Sequence, residues 1–261
     1  MSEAPSRIKL AENGPILEIT FDHPPAHAFD QRASRDLNAA FARLQDSPHL
    51  RCAIITATGD RIFSAGWDLK AVAAGDTGED FGEFGFMGLE RSHLTKPLIV
   101  AINGLAVGGG FELSLMAHMI ICAPHVEFAL PELQRGFIPE AGGLWRALRR
   151  LPQNIAYELL LTGRRMSAEE GLRLGFVNRI VPREHLMEAA REMAAQIATS
   201  APLAVEAFLE IAHATETLPD QEAFATMRSG LPAHRRMRES NDFHEGPRAF
   251  AEKRAPRWTG R

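Results

Sequence analysis

Two cysteines, Cys52 and Cys122, are all that this 261-residue chain carries. That is too few for a disulfide framework, and a reducing, cytoplasmic compartment is the expectation. Positive charge is not in excess: 29 Lys and Arg against 33 Asp and Glu leave a formal charge of −4, which argues against a general nucleic-acid surface. The opening MSEAPSRIKLAENG lacks the basic-then-apolar order of a signal peptide. The polar bias of a disordered or low-complexity chain is missing too. With 45% hydrophobic and 24% charged residues, the composition is that of a folded chain able to bury a substantial core. No linker-like composition shift and no internal repeat is visible.

Charge itself is nearly missing from one stretch: between Lys96 and Glu127 only Glu112 is charged. A membrane helix needs about 20 consecutive apolar residues. Pro97, Asn103, Gly104, three successive glycines at 108–110 and Pro124 interrupt this one, so no membrane span is expected. The stretch reads instead as strand (LIVAIN, 98–103), glycine loop, helix (FELSLMAHM, 111–119) and strand (IICA, 120–123). Glu112 then sits beside the loop at the start of an apolar helix. A carboxylate there either benefits from the positive helix end or has its pKa moved by burial. Glycines let a backbone N–H approach a ligand closely, and N–H groups at a helix start attract negative oxygen.

Elsewhere, ILEITF (16–21) alternates as a half-exposed strand, and residues 34–46 space Leu37, Phe41 and Leu44 as a helix with Ser34 as its cap. CAIITA (52–57) reads as a buried strand, and the alternation of strands and helices implies parallel pairing. The glycine-rich, acidic and aromatic segment 75–88 reads as a mobile loop or lid. Beyond VEFAL (126–130) the chain turns mostly helical, with helices expected at 183–199, 203–214, 221–237 and 247–254. The basic run 253–261 reads as a solvated tail, and Arg149-Arg150 and Arg164-Arg165 as solvated faces or ion pairs.

Several chemistries find no motif. NGLAVGGGFE is neither GxGxxG nor a P-loop. His23 and His27 are separated by two prolines, which forbid the helix that would align them on a metal, and no metal site is expected. Ser64 and Ser114 lack a nucleophile-elbow context. What stands out is a second loop, FSAGWDLK (63–70), and a third, FALPELQRGFIPEAGG (128–143), which places Glu132 and Glu140 after a strand.

Taken together, SAGWDLK, NGLAVGGGFELSLMAH, FALPE with GFIPEAGG, TGRRMSAEEGLRLGFVNRIV and FAEKRAPRW resemble the crotonase (enoyl-CoA hydratase/isomerase) superfamily, in order and spacing over nearly the whole chain. GWDLK, GGGFEL, TGRRM and the FAEKR ending are most similar to its carnitinyl-CoA dehydratase branch. The resemblance implies an α/β fold, a spiral of ββα units, with a catalytic core at 1–200 and a helical trimerisation region at 201–261. It implies an acyl-CoA hydro-lyase that interconverts a 3-hydroxyacyl-CoA and a 2-enoyl-CoA. No cofactor is implied beyond the coenzyme A of the substrate. The oxyanion hole falls on the N–H groups of Trp67 and Gly109, and the two catalytic carboxylates on Glu112 and Glu132. Stabilising the enolate oxygen is what makes the proton alpha to a thioester removable, and one such donor is worth about 3–4 kcal/mol of barrier.

The same resemblance puts coenzyme A against the backbone of Ser64, Ala65, Asp68 and Leu69, and against Phe250 and Lys253 from a neighbouring subunit of a trimer, itself paired into a hexamer. The family's Pro-Lys-x-Asn-Ala is here Pro24-Pro25-Ala26-His27-Ala28, so a basic contact at 25 is missing. For an acyl group bearing trimethylammonium, Trp67, Phe84, Phe86 and Trp145 offer aromatic faces, and Glu79, Asp80 and Glu83 negative charge. Glu140 is a candidate third carboxylate. A general enoyl-CoA hydratase, an enoyl-CoA isomerase and a non-catalytic acyl-CoA or protein-binding member remain alternatives.

Overall fold

The computed structural model describes residues 6–75, 78, 80–90 and 94–261. Its N-terminal part is β1 (Ile8–Asn13), β2 (Ile16–Phe21), α1 (Gln31–Asp46), β3 (Cys52–Ala57), β4 (Ile62–Ser64) and α2 (Leu69–Ala73). The middle holds β5 (Leu98–Ile102), β6 (Leu105–Val107), α3 (Gly109–Met116), β7 (Met119–Cys122), β8 (Glu127–Ala129), α4 (Gly143–Arg150), α5 (Gln153–Thr162), β9 (Met166–Ser167), α6 (Ala168–Arg173) and β10 (Arg179–Ile180). Helices α7 (Leu186–Ala198), α8 (Pro202–Thr215), α9 (Asp220–Arg228), α10 (Pro232–Glu239) and α11 (Asn241–Ala251) follow.

The strands form two sheets, ordered β1-β2-β3-β5-β7-β10 and β4-β6-β8-β9. Successive pairs β3/β4, β5/β6 and β7/β8 each give one strand to each sheet, and each pair is followed by a helix. The chain therefore spirals as stacked ββα units. Apart from the β1–β2 hairpin and the antiparallel β9, the pairings are parallel. Parallel central strands are covered on both faces, which accounts for their near-continuous apolar sequences. In β3 the alternation is still legible: Ala53, Ile55 and Ala57 join the large core, whereas Cys52 and Ile54 join a second cluster with Leu186, Ala189, Ala190 and Ala194 of α7. Phe111, Phe128 and Phe176 form a triangle with ring centroids 5.3–5.5 Å apart, fixing α3 against the second sheet.

Several expectations are corrected. β2 is an inner strand, more buried than its alternation implies, because α7 covers its second face and Arg191 pairs with Glu18 at 2.7 Å. Helix α1 is capped by Asp30, whose carboxylate accepts from the Ala33 N–H, while Ser34 is buried one turn in. The span expected as one helix at 221–237 is two, since Gly230 adopts φ +85° and Pro232 opens a new helix. The last helix begins at Asn241, not 247: the Ser240 cap holds its first turn, and Pro247 falls inside it. The basic tail is folded back. Trp258 donates its indole N–H to the Thr199 carbonyl (2.7 Å), Arg254 pairs with Glu245, and Asp242 accepts from the N–H groups of Thr259 and Gly260.

The segment expected to be a mobile lid is pinned to α1 where it is described. Asn38 donates to the carbonyls of Phe81 and Gly85 and accepts from the Phe84 N–H, Ser34 accepts from the Met87 N–H, and Asp80 pairs with Arg35. Among the described residues, no helix is long and apolar enough to cross a membrane and no group of three or more His, Cys, Asp or Glu is placed to hold a metal ion.

Candidate active site

The carboxyl ends of β4 and β6 lie side by side, so the loops leaving them meet. The first loop runs back along the chain before α1. Phe29 donates its N–H to the Gly66 carbonyl and accepts from the Asp68 N–H, 2.8 and 2.9 Å, as a one-residue parallel bridge to Trp67. Because Phe29 uses the groups flanking Trp67, the N–H of Trp67 itself points to the opposite side. The second loop turns through Gly108 at φ +55° and opens α3, whose first N–H, that of Gly109, has no carbonyl within the helix to reach. The loops touch at Gly66. At φ +76°, a Cβ there would overlap the Gly109 nitrogen and come within 3.1 Å of the Val107 carbonyl oxygen. Two backbone donors, from Trp67 and Gly109, are thereby held side by side at the positive end of α3.

Glu112 projects from the first turn of α3 and is 4% exposed. Its Oε1 accepts the Gly143 N–H at 2.9 Å. Burial drives its carboxyl up to about 7; the Gly143 hydrogen bond opposes this, the Glu132 charge adds to it, and Arg146 pulls it back down. Glu132 follows β8, in the turn that leads to Gly136. A Cβ on Gly108 would come within 2.9 Å of its Oε1, so this carboxylate stands beside the entry to α3. Burial raises its pKa as well, and its Oε2 is buried without a hydrogen-bond partner. Two carboxyl groups of raised pKa, one with an unused oxygen, can hold one proton between them and pass it to or from a bound molecule. Beside them, the backbone donors suit an oxygen that becomes negative.

A family model described as enoyl-CoA hydratase/isomerase matches residues 11–261. The chain belongs to the enoyl-CoA hydratase/isomerase family. Among its relatives in this family, a carnitinyl-CoA dehydratase of Salmonella typhi is 52% identical over the full length of both chains. Another carnitinyl-CoA dehydratase, of Proteus mirabilis, is 52% identical over 97% of this chain and 98% of its own. Among solved structures, an enoyl-CoA hydratase from Mycobacterium tuberculosis superposes with a TM-score of 0.91 at 38% identity, over 98% of this chain and all of that one. One from Mycobacterium marinum gives 0.91 at 37% identity, with the same coverage. The fold of this family member is the crotonase fold.

The residues singled out from the sequence are not all in one place. Glu112, Glu132 and the backbone of Trp67 and Gly109 converge. Ser64 is fully buried, its hydroxyl donating to the His27 carbonyl and accepting from the Gly66 N–H, so it shapes the loop of Gly66 and Trp67 from beneath. Ala65 and Asp68 are partly exposed and Leu69 is exposed; the Asp68 carboxylate caps α2. Phe250 is 87% exposed on α11, and Lys253 is exposed beyond it.

Of the acyl-pocket candidates, Phe86 is buried, with its ring centroid 6.4 Å from that of Trp67, and Phe84 is half-buried. Trp145 points outward, 44% exposed on α4, and Glu140 is exposed, so neither joins that aromatic group. Glu79 lies outside the described residues, and Asp80 is engaged with Arg35.

Four contributors escaped the sequence reading. Phe81 completes the aromatic group, 5.1 Å from Phe86 and 6.1 Å from Trp67. Gly143 supplies the N–H that holds Glu112, Gly66 lets the Trp67 loop close on Gly109, and the Arg146 charge acts on Glu112. The αL-prone glycine pair 142–143, just after GFIPEA, was the available signal for Gly143. Arg150, read as a solvated face or ion pair, instead donates to the Leu115 and Ala117 carbonyls (2.9 and 2.6 Å) and closes the C-terminal end of α3.

Proposed function

We propose that this chain is a hydro-lyase acting on a coenzyme A thioester, interconverting carnitinyl-CoA and crotonobetainyl-CoA. The observation that carries the reading is the pair of Glu112, which is buried, and Glu132, which is half-buried with its Oε2 enclosed and unpartnered, both of raised pKa, beside the N–H groups of Trp67 and Gly109. The thioester oxygen lies between the two N–H groups. Glu132, whose Oε2 is unpartnered, takes the alpha proton, and the C–H electrons form the new double bond. The C–O bond breaks, and Glu112 gives its proton to the departing hydroxyl, which leaves as water. Hydration runs the same path backwards, with Glu112 activating water and Glu132 protonating carbon. An isomerase needs only to move a proton; retention of two carboxylates favours adding and removing water.

The carnitine assignment draws on relatives that are 52% identical along the whole chain. It draws also on the aromatic group of Trp67, Phe81 and Phe86, whose faces suit a trimethylammonium cation at about 0.5–2 kcal/mol per contact. Coenzyme A follows the loop of Ala65, Asp68 and Leu69, and Phe250 and Lys253 complete a neighbour's site. The helices from residue 201 onward assemble trimers that pair as hexamers, and the enzyme works in the cytoplasm without a cofactor of its own.

The test is loss of enoyl-thioester absorbance with crotonobetainyl-CoA and with crotonyl-CoA. The expected kcat/KM is about tenfold or more higher for the charged substrate. A preference for crotonyl-CoA would overturn the carnitine assignment and leave a general enoyl-CoA hydratase, the activity named for the solved structures above.

A further inference from the structure

We propose that Arg146 is a positioning residue that latches the segment after Phe86 to the loop carrying Gly143, and so fixes the proton-transfer geometry of Glu112. The inference rests on the acid–base role proposed for Glu112. Arg146 lies one turn into α4, but its side chain runs back over the helix start. Its Nη1 donates to the Ala141 carbonyl (2.9 Å) and its Nη2 to the Leu89 carbonyl (2.8 Å). A Cβ on Gly142 would fall within 2.7 Å of its Cζ, so the guanidinium fills the space that a side chain at 142 would need. The next residue, Gly143, donates the hydrogen bond that orients Glu112 Oε1.

One planar fork therefore joins two segments that are far apart in sequence. On one side is the stretch that brings Phe86 and Met87 over Gly109; on the other is the loop that aims the catalytic carboxyl. Lysine would supply the charge at a point and not the fork.

The charges around the pair are few. Glu112 faces Glu132 from the loop after β8 and Arg146 from α4. Arg146 in turn faces Arg149 on its own helix, Glu216 at the end of α8, and Arg150, which shares Glu216. Arg146 is the cation that acts on Glu112, and it draws that carboxyl downward. Without it, the ionised form of Glu112 loses support.

Three variants separate the possibilities: Arg146→Gln, Arg146→Lys and Glu112→Gln. Arg146→Gln should move the alkaline limb of the kcat/KM profile up by about one pH unit, as expected for losing an adjacent opposite charge. Arg146→Lys should leave that limb in place but lower kcat about tenfold, since a slightly misplaced carboxyl costs rate even when its pKa is kept. Infrared titration of the Glu112 carboxyl, identified by its loss in Glu112→Gln, gives the same shift in unliganded protein and does not depend on turnover.

Wild-type kcat and an unmoved limb in both Arg146 variants, with Glu112→Gln inactive, would overturn the latch and leave the proposed function standing. Full activity in Glu112→Gln would overturn the acid–base reading, and the latch with it.

Discussion

The proposed oxyanion hole makes a demand on the glycine where its two donor loops meet. Gly66 sits at φ +76°, and a Cβ there would overlap the Gly109 nitrogen and crowd the Val107 carbonyl. The overlapping atoms are backbone, so no side chain can swing away to relieve them; one of the two loops must shift. Gly66→Ala should therefore displace the Gly109 donor from the thioester oxygen. Losing one such donor costs about 3–4 kcal/mol of barrier, or roughly 10²–10³ in kcat. The left-handed backbone adds about 1–2 kcal/mol of strain to the fold, which alone would not change the rate.

Gly59→Ala provides the control. Gly59 has φ +75°, nearly the same as Gly66, but nothing lies within 4 Å of the position a Cβ would take. It should show similar destabilisation on thermal melting and wild-type kcat. Hydration of the enoyl thioester, followed by absorbance at saturating substrate, reads both variants. If Gly66→Ala turned over within about threefold of wild type, the loops would not be holding the donors as described. Equal losses of kcat in both variants would likewise refute the argument, since strain and not the Gly109 donor would then be responsible.

Other consequences follow from the same geometry. In both reaction directions the Glu112–Glu132 pair must carry one proton, so kcat/KM for hydration and for dehydration should both fall as pH rises through about 7, where Glu112 loses its proton; an alkaline limb in only one direction would contradict the shared proton. The raised carboxyl also affects stability. Folded Glu112 binds its proton more tightly than the unfolded chain does, so stability is greatest below the ordinary carboxylate value of 4.5 and is lost as pH climbs to about 7. That loss is about 3 kcal/mol, and Glu112→Gln, which cannot ionise, should melt higher than wild type at pH 8 and show no such advantage at pH 4; the reverse order would refute the burial argument. Phe250→Ala removes a ring that is 87% exposed in the single chain, so it should leave the fold intact. If the residue reaches coenzyme A in a neighbouring subunit, KM should rise with kcat held, and unchanged KM would remove it from the site.

What was legible in the sequence followed contiguity. Glu112 stood out locally, beside its glycine loop in a stretch almost without charge, whereas Trp67, Gly109 and Glu132 were singled out through the short, distinctive loops that carry the family resemblance. Alternating strands and helices announced parallel pairing, whereas the ββα spiral came with the family resemblance, because which strand joins which sheet is fixed by pairings between distant segments. The same limit hid Gly143, Arg146 and Phe81. Gly143 meets Glu112 across 31 positions of chain, and Arg146 meets Leu89 across 57; neither separation carries a periodic signal.

Trp145 and Glu140 show the converse. They lie close to Glu132 in sequence, but α4 turns Trp145 outward, and Glu140 stays exposed, so neither joins the aromatic group of Trp67, Phe81 and Phe86. Composition also misled in the segment 75–88. Its glycines and acids suggested mobility, whereas Asn38 and Ser34 of α1 bind its backbone where it is described. Those two polar residues are buried on a helix face that periodicity assigns to packing.

The central claim is that two carboxylates move the protons while backbone N–H groups hold the oxygen. Its most direct test is hydration of crotonobetainyl-CoA by Glu112→Gln and Glu132→Gln, measured at saturating substrate beside wild type. Each amide keeps the shape of its site and removes one proton carrier, so each variant should lose roughly 10²–10⁴ in kcat with the fold retained. Wild-type turnover in either variant would contradict the two-carboxylate account.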